Sequence, residues 1–235
     1  MNILYKDKLP ASAQIDVVIP TVGDVLDNED GYYELVNVLT AMPIDFMLQL
    51  DEVGVDFTTI NEYDLFLMLF EGIKEKDTHL IFGDLDLRKF APAVRNDTGK
   101  VVLYDADDDI VIDRLVHTQI ANILRKIHHI EKNNKTAANE AAKKYLLKRA
   151  REKAGRRKKQ GRDSQLEQLI IAMVNTEQYK YDYEGTKELS IYQFNESVRQ
   201  ILKKVDYDNK MHGVYAGTVD PTKLSRDELN WLTHT

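Results

Sequence analysis

The sequence predicts an α+β fold, predominantly helical, with a small antiparallel β-sheet inserted at about residues 79–113. Three observations lead to it. Apolar residues recur at helical spacing along most of the chain, several times behind a capping box. Between about His79 and Asp113 the period drops to two and Asn/Asp/Gly turn chemistry appears. Of the 235 residues 43% are hydrophobic, enough to build a core.

Region 1–76 reads as an N-terminal helical module. Ile15-Asp16-Val17-Val18-Ile19-Pro20 is a short strand ended by proline, and Thr21-Val22-Gly23-Asp24 opens a short helix or turn. Tyr32, Leu35, Val36 and Leu39 form the i, i+3, i+4, i+7 stripe of an amphipathic helix. Pro43 suits the first position of another, with Phe46, Met47 and Leu50 on one face and Gly54 as its stop. Thr59-Ile60-Asn61-Glu62 predicts a capping box ahead of the apolar run Tyr63–Phe70. Region 77–113 carries three β-rich runs: Leu80-Ile81-Phe82, Val101-Val102-Leu103-Tyr104 and Ile110-Val111-Ile112. Asn96–Gly99 and Asp105–Asp108 supply the turns.

Region 114–162 starts with a helix from Asp113 to about Ile130, its stripe being Leu115, Ile120, Ile123, Leu124, Ile127 and Ile130. Thr136 is the expected cap of a second helix, carried to about Glu152 by strong helix formers and fraying beyond Gly155. Region 163–235 reads as a C-terminal helical module. Leu166, Leu169, Ile170 and Met173 mark a short helix. Ser190-Ile191-Tyr192-Gln193 caps one that carries Phe194, Val198, Ile201, Leu202 and Val205. Met211–Thr218 is expected to be a turn or extended piece, and Ser225–Glu228 to cap a terminal helix.

No cysteine occurs, which excludes disulfides, thiolate zinc sites and cysteine nucleophiles. The first residues lack a signal-peptide apolar run and no segment is apolar enough to span a bilayer, so an intracellular protein with no membrane partner is expected. The net charge of −7 conceals a strong asymmetry. Arg125 to Arg162 holds 15 Lys and Arg against 3 acidic residues, and the remainder is correspondingly acidic. Such an arm can bind nucleic acid, dock on an acidic partner or pair with another copy in a homo-oligomer. Its candidate contact residues are Lys143, Lys144, Lys148, Arg149, Arg151, Arg156, Arg157, Lys158, Lys159 and Arg162.

Catalytic patterns are missing. The acidic run Asp105–Asp113 fails as an EF-hand, because Ile110 and Val116 stand where glycine and glutamate are required, and it reads as a solvated turn. The six histidines show no HExxH spacing, and neither a phosphate loop nor a nucleophile elbow is found. A non-enzymatic chain without cofactor or metal is expected. Tyr179, Tyr181, Tyr183 and Tyr192, with Trp231, form the second candidate surface. Alternation at 179, 181 and 183 suits an extended strand with one aromatic face. Glu177, Asp182, Glu184 and Glu188 around it disfavour phosphate, so packing or protein contact is the better reading.

Several segments carry a resemblance: Asn175–Tyr181, Leu189–Asn195, His212–Thr218 and Leu229–Leu232, with Leu80–Leu87 and Asp109–Asp113 ahead of them. They resemble uncharacterised proteins encoded in the tail-morphogenesis modules of phages of Gram-positive bacteria. In such modules a helical protein of this size without active-site residues is similar in character to a tail assembly chaperone. The resemblance implies binding to tape-measure protein and to tail-tube subunits, in the host cell cytoplasm. The alternatives are a structural component of the virion tail or baseplate, and a nucleic-acid-binding accessory protein acting through the basic arm.

Overall fold

The computed structural model describes residues 2–157, 164–226 and 228–232, the side chains of Arg156 and Arg157 excepted. The chain opens with a hairpin of β1 (Lys8–Pro10) and β2 (Asp16–Val18), antiparallel, with Leu9 opposite Val17 and both fully buried. Its first strand is not signalled by the sequence, because only Leu9 among its three residues is apolar and inward. Thr21 caps α1 (Val22–Asp27) in a reciprocal box with Asp24, and α2 (Glu29–Leu39) buries the expected Tyr32, Leu35, Val36 and Leu39.

A 3₁₀ turn at Pro43–Phe46 leads into α3 (Met47–Glu52), and Gly54 stops it at a φ of +74°, where a side chain would be strained. The cap of α4 (Glu62–Leu69) is Asn61, paired reciprocally with Asp64, two residues beyond the expected box. Thr59 is unavailable, since its hydroxyl donates to the Asp56 carbonyl (2.9 Å) within the preceding turn.

Leu80-Ile81-Phe82 is helical, not a strand: α5 (His79–Phe82) is a single turn in which Ile81 and Phe82 N–H both donate to Thr78 O. Adjacent Ile81 and Phe82 are both buried, which a helical turn permits and an alternating strand does not. Asp84 and Asp86, likewise read as part of an alternating strand, follow in turn and cap geometry, with Asp86 accepting from Arg88 N–H. The sheet therefore begins later, as β3 (Ala91–Val94), β4 (Val101–Asp105) and β5 (Ile110–Ile112) in the antiparallel order β3-β4-β5. Both expected turns form, with Gly99 (φ +66°) and Asp109 (φ +53°) at their left-handed positions.

Asp113 caps α6 (Arg114–His128) through the N–H groups of Leu115 and Val116. This helix is the centre of the molecule: α2, α4 and the first half of α10 pack around it, and β2 and β5 reach it too. Its buried residues include Ile120, Ala121, Ile123, Leu124 and Ile127, whereas Leu115, assigned to the stripe, is 67% exposed. A second, smaller core gathers Ala41, Ile44, Leu50, Phe57, Leu65 and Leu147.

The basic helix α7 (Glu140–Arg157) starts four residues after Thr136 and runs through Gly155 to Arg157, while the rest of the run expected to fray lies outside the described residues. Asn139 accepts from Ala142 N–H at its start, and a glycine with open space around it costs a helix only about 1 kcal/mol. Then come α8 (Gln165–Val174), α9 (Tyr183–Glu188) and α10 (Ile191–Tyr215). Ser190 and Gln193 form the expected capping box. The expected turn at Met211–Thr218 is instead mostly helix, because α10 continues through Gly213 to Tyr215. It ends in a Schellman arrangement, with Thr218 N–H on Gly213 O and Gly217 N–H on Val214 O. The last box forms hydrogen bonds between Ser225 and Glu228, but turns follow, not a helix. So short a segment cannot offset helix nucleation, and Glu228 is also drawn to Lys210 (3.0 Å).

The C-terminal elements are stitched to the N-terminal ones. Val22 N–H donates to Leu189 O and Ile191 N–H to Pro20 O, both at 2.8 Å, around a bridge between Thr21 and Ser190. The Glu29 carboxylate takes Ser164 Oγ and the N–H groups of Gln165 and Leu166, an anion on the free donors of a helix start. Ile191 and Phe194 are fully buried in the same core as Ile3, Leu9 and Val17.

Candidate functional site

The basic arm is not a free appendage along its whole length. Arg125 is buried, its Nη2 donating to Thr40 O (2.7 Å) and to Glu62, which also holds Lys132 (2.6 Å). Burial alone would raise the Glu62 carboxyl, but hydrogen bonds from Lys132 and Arg125 outweigh it and hold it below its ordinary value. Downstream, α7 lies as a strap across the smaller core. Leu147 is buried, Leu146 and Ala137 are half-buried, Lys143 pairs with Asp56 (2.7 Å) and Arg151 with Asp51 (2.5 Å). Hydrogen bonds from Lys143, Thr58 N–H and Thr58 hydroxyl bring the Asp56 carboxyl down to about 2. Burying Leu147 contributes roughly 2 kcal/mol and half-covered Leu146 about half as much. The exposed Arg151–Asp51 pair adds little.

The opposite face of α7 presents Lys144, Tyr145, Lys148 and Arg149 to solvent, with the Arg149 guanidinium 5.8 Å from the Tyr145 ring centroid. Arg156 and Arg157 continue the helix backbone. Lys158, Lys159 and Arg162 lie outside the described residues.

The aromatic residues do not form one surface. Tyr179 is buried between Phe194 (centroids 6.3 Å apart) and Tyr181 (5.5 Å), with its hydroxyl 3.1 Å from Thr186 Oγ1. Burial pushes the Tyr179 phenol up despite that hydrogen bond. The stretch Tyr179–Asp182 is irregular and Tyr183 opens α9, so strand alternation is absent. Tyr181 and Tyr183 stay about half exposed, with Asn175 Nδ2 donating to the Tyr183 hydroxyl at 3.3 Å. Tyr192 faces His129 on the other side of α10 (6.1 Å). Trp231 belongs to a different place altogether: its ring lies 5.8 Å from Lys204 Nζ, ten residues and about 15 Å along α10 from Phe194.

That distant place is the unexpected feature. After Phe194 no residue of α10 is buried, and the described residues of the tail, 216–226 and 228–232, fold back along the helix through Val219 on Gly213, Glu228 on Lys210 and Trp231 on Lys204. A Cβ at Gly213 would stand 2.6 Å from Val219 Cγ2, so the glycine permits the approach. Leu202 (62% exposed), Tyr215 (85%), Leu229 and Leu232 (65%) are left in solvent on this arm. Leu202 is one of the apolar residues this helix was expected to carry, but Phe194, Val198, Ile201 and Val205 complete an i, i+4, i+7, i+11 face without it.

The interior holds titratable groups without a catalytic arrangement. His117 is stacked on Phe66 (4.4 Å) with neither ring nitrogen bonded, and His128 Nε2 lies 2.9 Å from the Tyr32 hydroxyl. Burial pushes both imidazoles down to about 4. A cleft of about 640 Å³ between α4, the β3–β4 hairpin and the start of α6 is lined by Leu67, Val101 and Leu115. Its carboxylates Asp64 and Asp113 are occupied as helix-cap acceptors, and Asp113 also pairs with Arg95 (3.1 Å). Among the described residues no three His, Asp or Glu side chains are placed to hold a metal ion, and no helix is long and apolar enough to cross a membrane. Only the middle of the acidic run is a solvated turn, in which Asp108 pairs with Lys89 and Asp109 accepts from the Tyr104 hydroxyl. Asp105 instead ends β4, buried, where its carboxylate accepts from Asp107 N–H and closes the turn, and Asp113 caps α6.

Residues 157–235 match the family model of the YomV second domain, a phage-derived family, consistent with a phage protein. The matched segment comprises α8, α9, α10 and the tail that folds back on it. No curated protein and no solved structure matches the chain.

Proposed function

We propose that this chain is a non-enzymatic phage tail morphogenesis protein, an assembly chaperone that holds tape-measure or tail-tube protein through its C-terminal arm. The observation that carries this reading is the arm itself. Half of a 25-residue helix stands clear of the core and offers Leu202, Tyr215, Leu229 and Leu232 to solvent, within the segment similar to a phage-derived domain. Leu202 and Tyr215 stand about 20 Å apart along α10, so the arm offers separate apolar anchors along its length, and a few such anchors can carry most of the energy of a protein contact. An assembly factor acts in the host cell and leaves before the particle is complete.

Two measurements test it. Co-expression with the tape-measure and tail-tube proteins of the same phage should give a complex that Leu202→Ser with Tyr215→Ser weakens at least tenfold. Mass spectrometry of purified particles should find the chain missing. Stoichiometric presence in mature particles would replace the chaperone by the structural tail or baseplate reading. The exposed Lys144, Lys148 and Arg149 favour a second reading, a nucleic-acid contact. Phosphate contacts release counterions, so binding through this face alone should be weak, sequence-independent and lost near physiological salt. DNA binding that survives about 200 mM salt would promote that reading.

A further inference from the structure

We infer that the smaller core is a docking platform for a basic amphipathic helix of a partner protein, and that α7 is an intramolecular placeholder seated on it. This surface is separate from the C-terminal arm and stands whichever partner the arm takes.

The platform has its own apolar centre, built by Ile44, Leu50, Phe57 and Leu65 apart from the main core around α6. Met42 and Met47 lie at its edge. Methionine side chains are unbranched and adaptable, which suits a surface that accepts more than one helix. Around the apolar centre stand Asp45, Asp51 and Asp56, whose carboxylates take Asn133, Arg151 and Lys143 from the strap and the segment before it. The platform thus selects an apolar pair flanked by cations, and that is the chemistry of its occupant.

The occupant is poorly made to stay. Among the described side chains of α7 only Leu147 is buried, and the helix otherwise reaches the platform through half-buried alanines, Leu146, the half-buried Lys143–Asp56 pair and the exposed Arg151–Asp51 pair. It is joined to α6 through residues 130–137, which have no regular structure and hold to the body through Lys132 on Glu62 and Asn133 on Asp45. A helix held this lightly opens without unfolding the main core, and a competing helix needs only a modest advantage in affinity to replace it. Because the same ion pairs serve both occupants, a helix rich in carboxylates is rejected by Asp51 and Asp56.

The test uses the full chain and a fluorescein-labelled peptide of its own sequence 137–157. In the full chain carrying Leu146→Ser and Leu147→Ser the internal strap is weakened and the platform is freed. Fluorescence anisotropy should show this variant binding the peptide at least tenfold more tightly than the unaltered chain. A peptide with the same two serines should not bind, and adding Asp51→Lys and Asp56→Lys to the variant should abolish binding. Equal binding, or none, by a variant whose circular dichroism matches the unaltered chain overturns the proposal. Should the variant misfold, hydrogen exchange in the unaltered chain decides: α7 amides must exchange at least a hundredfold faster than those of α6. Equal protection of the two helices overturns the proposal.

Discussion

At the scale of single residues, the polar groups inside this protein are of two kinds. Arg125 with Glu62, and His128 with Tyr32, are partnered, so truncating one member leaves the other stranded. His117 is the other kind: it lies 1% exposed, flat against Phe66, and no hydrogen bond reaches either ring nitrogen. Its pKa is depressed to about 4 by burial, so the folded state binds fewer protons than the unfolded chain between pH 6.5 and 4. The associated stability is complete above the unfolded value and is lost as pH falls through that window, at about 1.4 kcal/mol per unit. His128, depressed to the same value, adds an equal slope. Replacing His117 by Leu, close in volume and free of polar atoms, should raise stability at pH 7 by about 1 kcal/mol and roughly halve the loss down to pH 4.5. Urea denaturation at the two pH values measures both. An unchanged pH slope would show that His117 is solvated in solution.

At the scale of elements, two glycines inside helices make opposite demands. Gly155 lies in α7 with nothing within 4 Å of where a Cβ would stand, so it only weakens the helix. Gly155→Ala should therefore stabilise α7 by up to about 1 kcal/mol, seen as a rise in helical circular dichroism and slower exchange there. Gly213 in α10 is where Val219 lands, at 2.6 Å from an added Cβ. Gly213→Ala should push the tail off the helix, raising proteolysis at 218–232 while the main core keeps its melting temperature. In sequence both glycines read as places where a helix gives way, yet both lie inside helices near an element's end. Only the partner that approaches from 219 separates them.

At the scale of the whole molecule, the N-terminal hairpin, α6 and the start of α10 share one apolar core although they lie far apart in sequence. Phe194 is fully buried within it and stacks edge-on with Tyr179. Truncating it to Ala should cost about 3–5 kcal/mol and lower the stability of the N-terminal elements equally, in a single transition. Fluorescence of Trp231, which sits on the arm, should by contrast respond to local opening before that transition. Two separate unfolding transitions, with the N-terminal one unaffected by Phe194→Ala, would show that the C-terminal segment folds as an independent unit.

The local rules written in the sequence were sufficient for the amphipathic stripe of α2, that of α6 from Ile120 to Ile127, the capping box at Ser190, the turns at Gly99 and Asp109 and the predominantly helical α+β class. These depend on residues within a few positions of one another, where spacing and capping chemistry decide the outcome. What lies beyond that range was settled by packing. Leu80-Ile81-Phe82 has β-rich composition yet turns helically, because the core needs two adjacent side chains at once. The arm from Arg125 to Arg162 looks uniformly solvated by charge, yet Arg125 is buried on Thr40 and Glu62, and Lys143 and Arg151 are tied to Asp56 and Asp51. Exposure of Leu202 and Tyr215, and the distance of Trp231 from the tyrosines, likewise follow from where α10 leaves the core. A charge or an apolar side chain acquires its role from the surface that meets it, and that surface comes from segments tens of residues away.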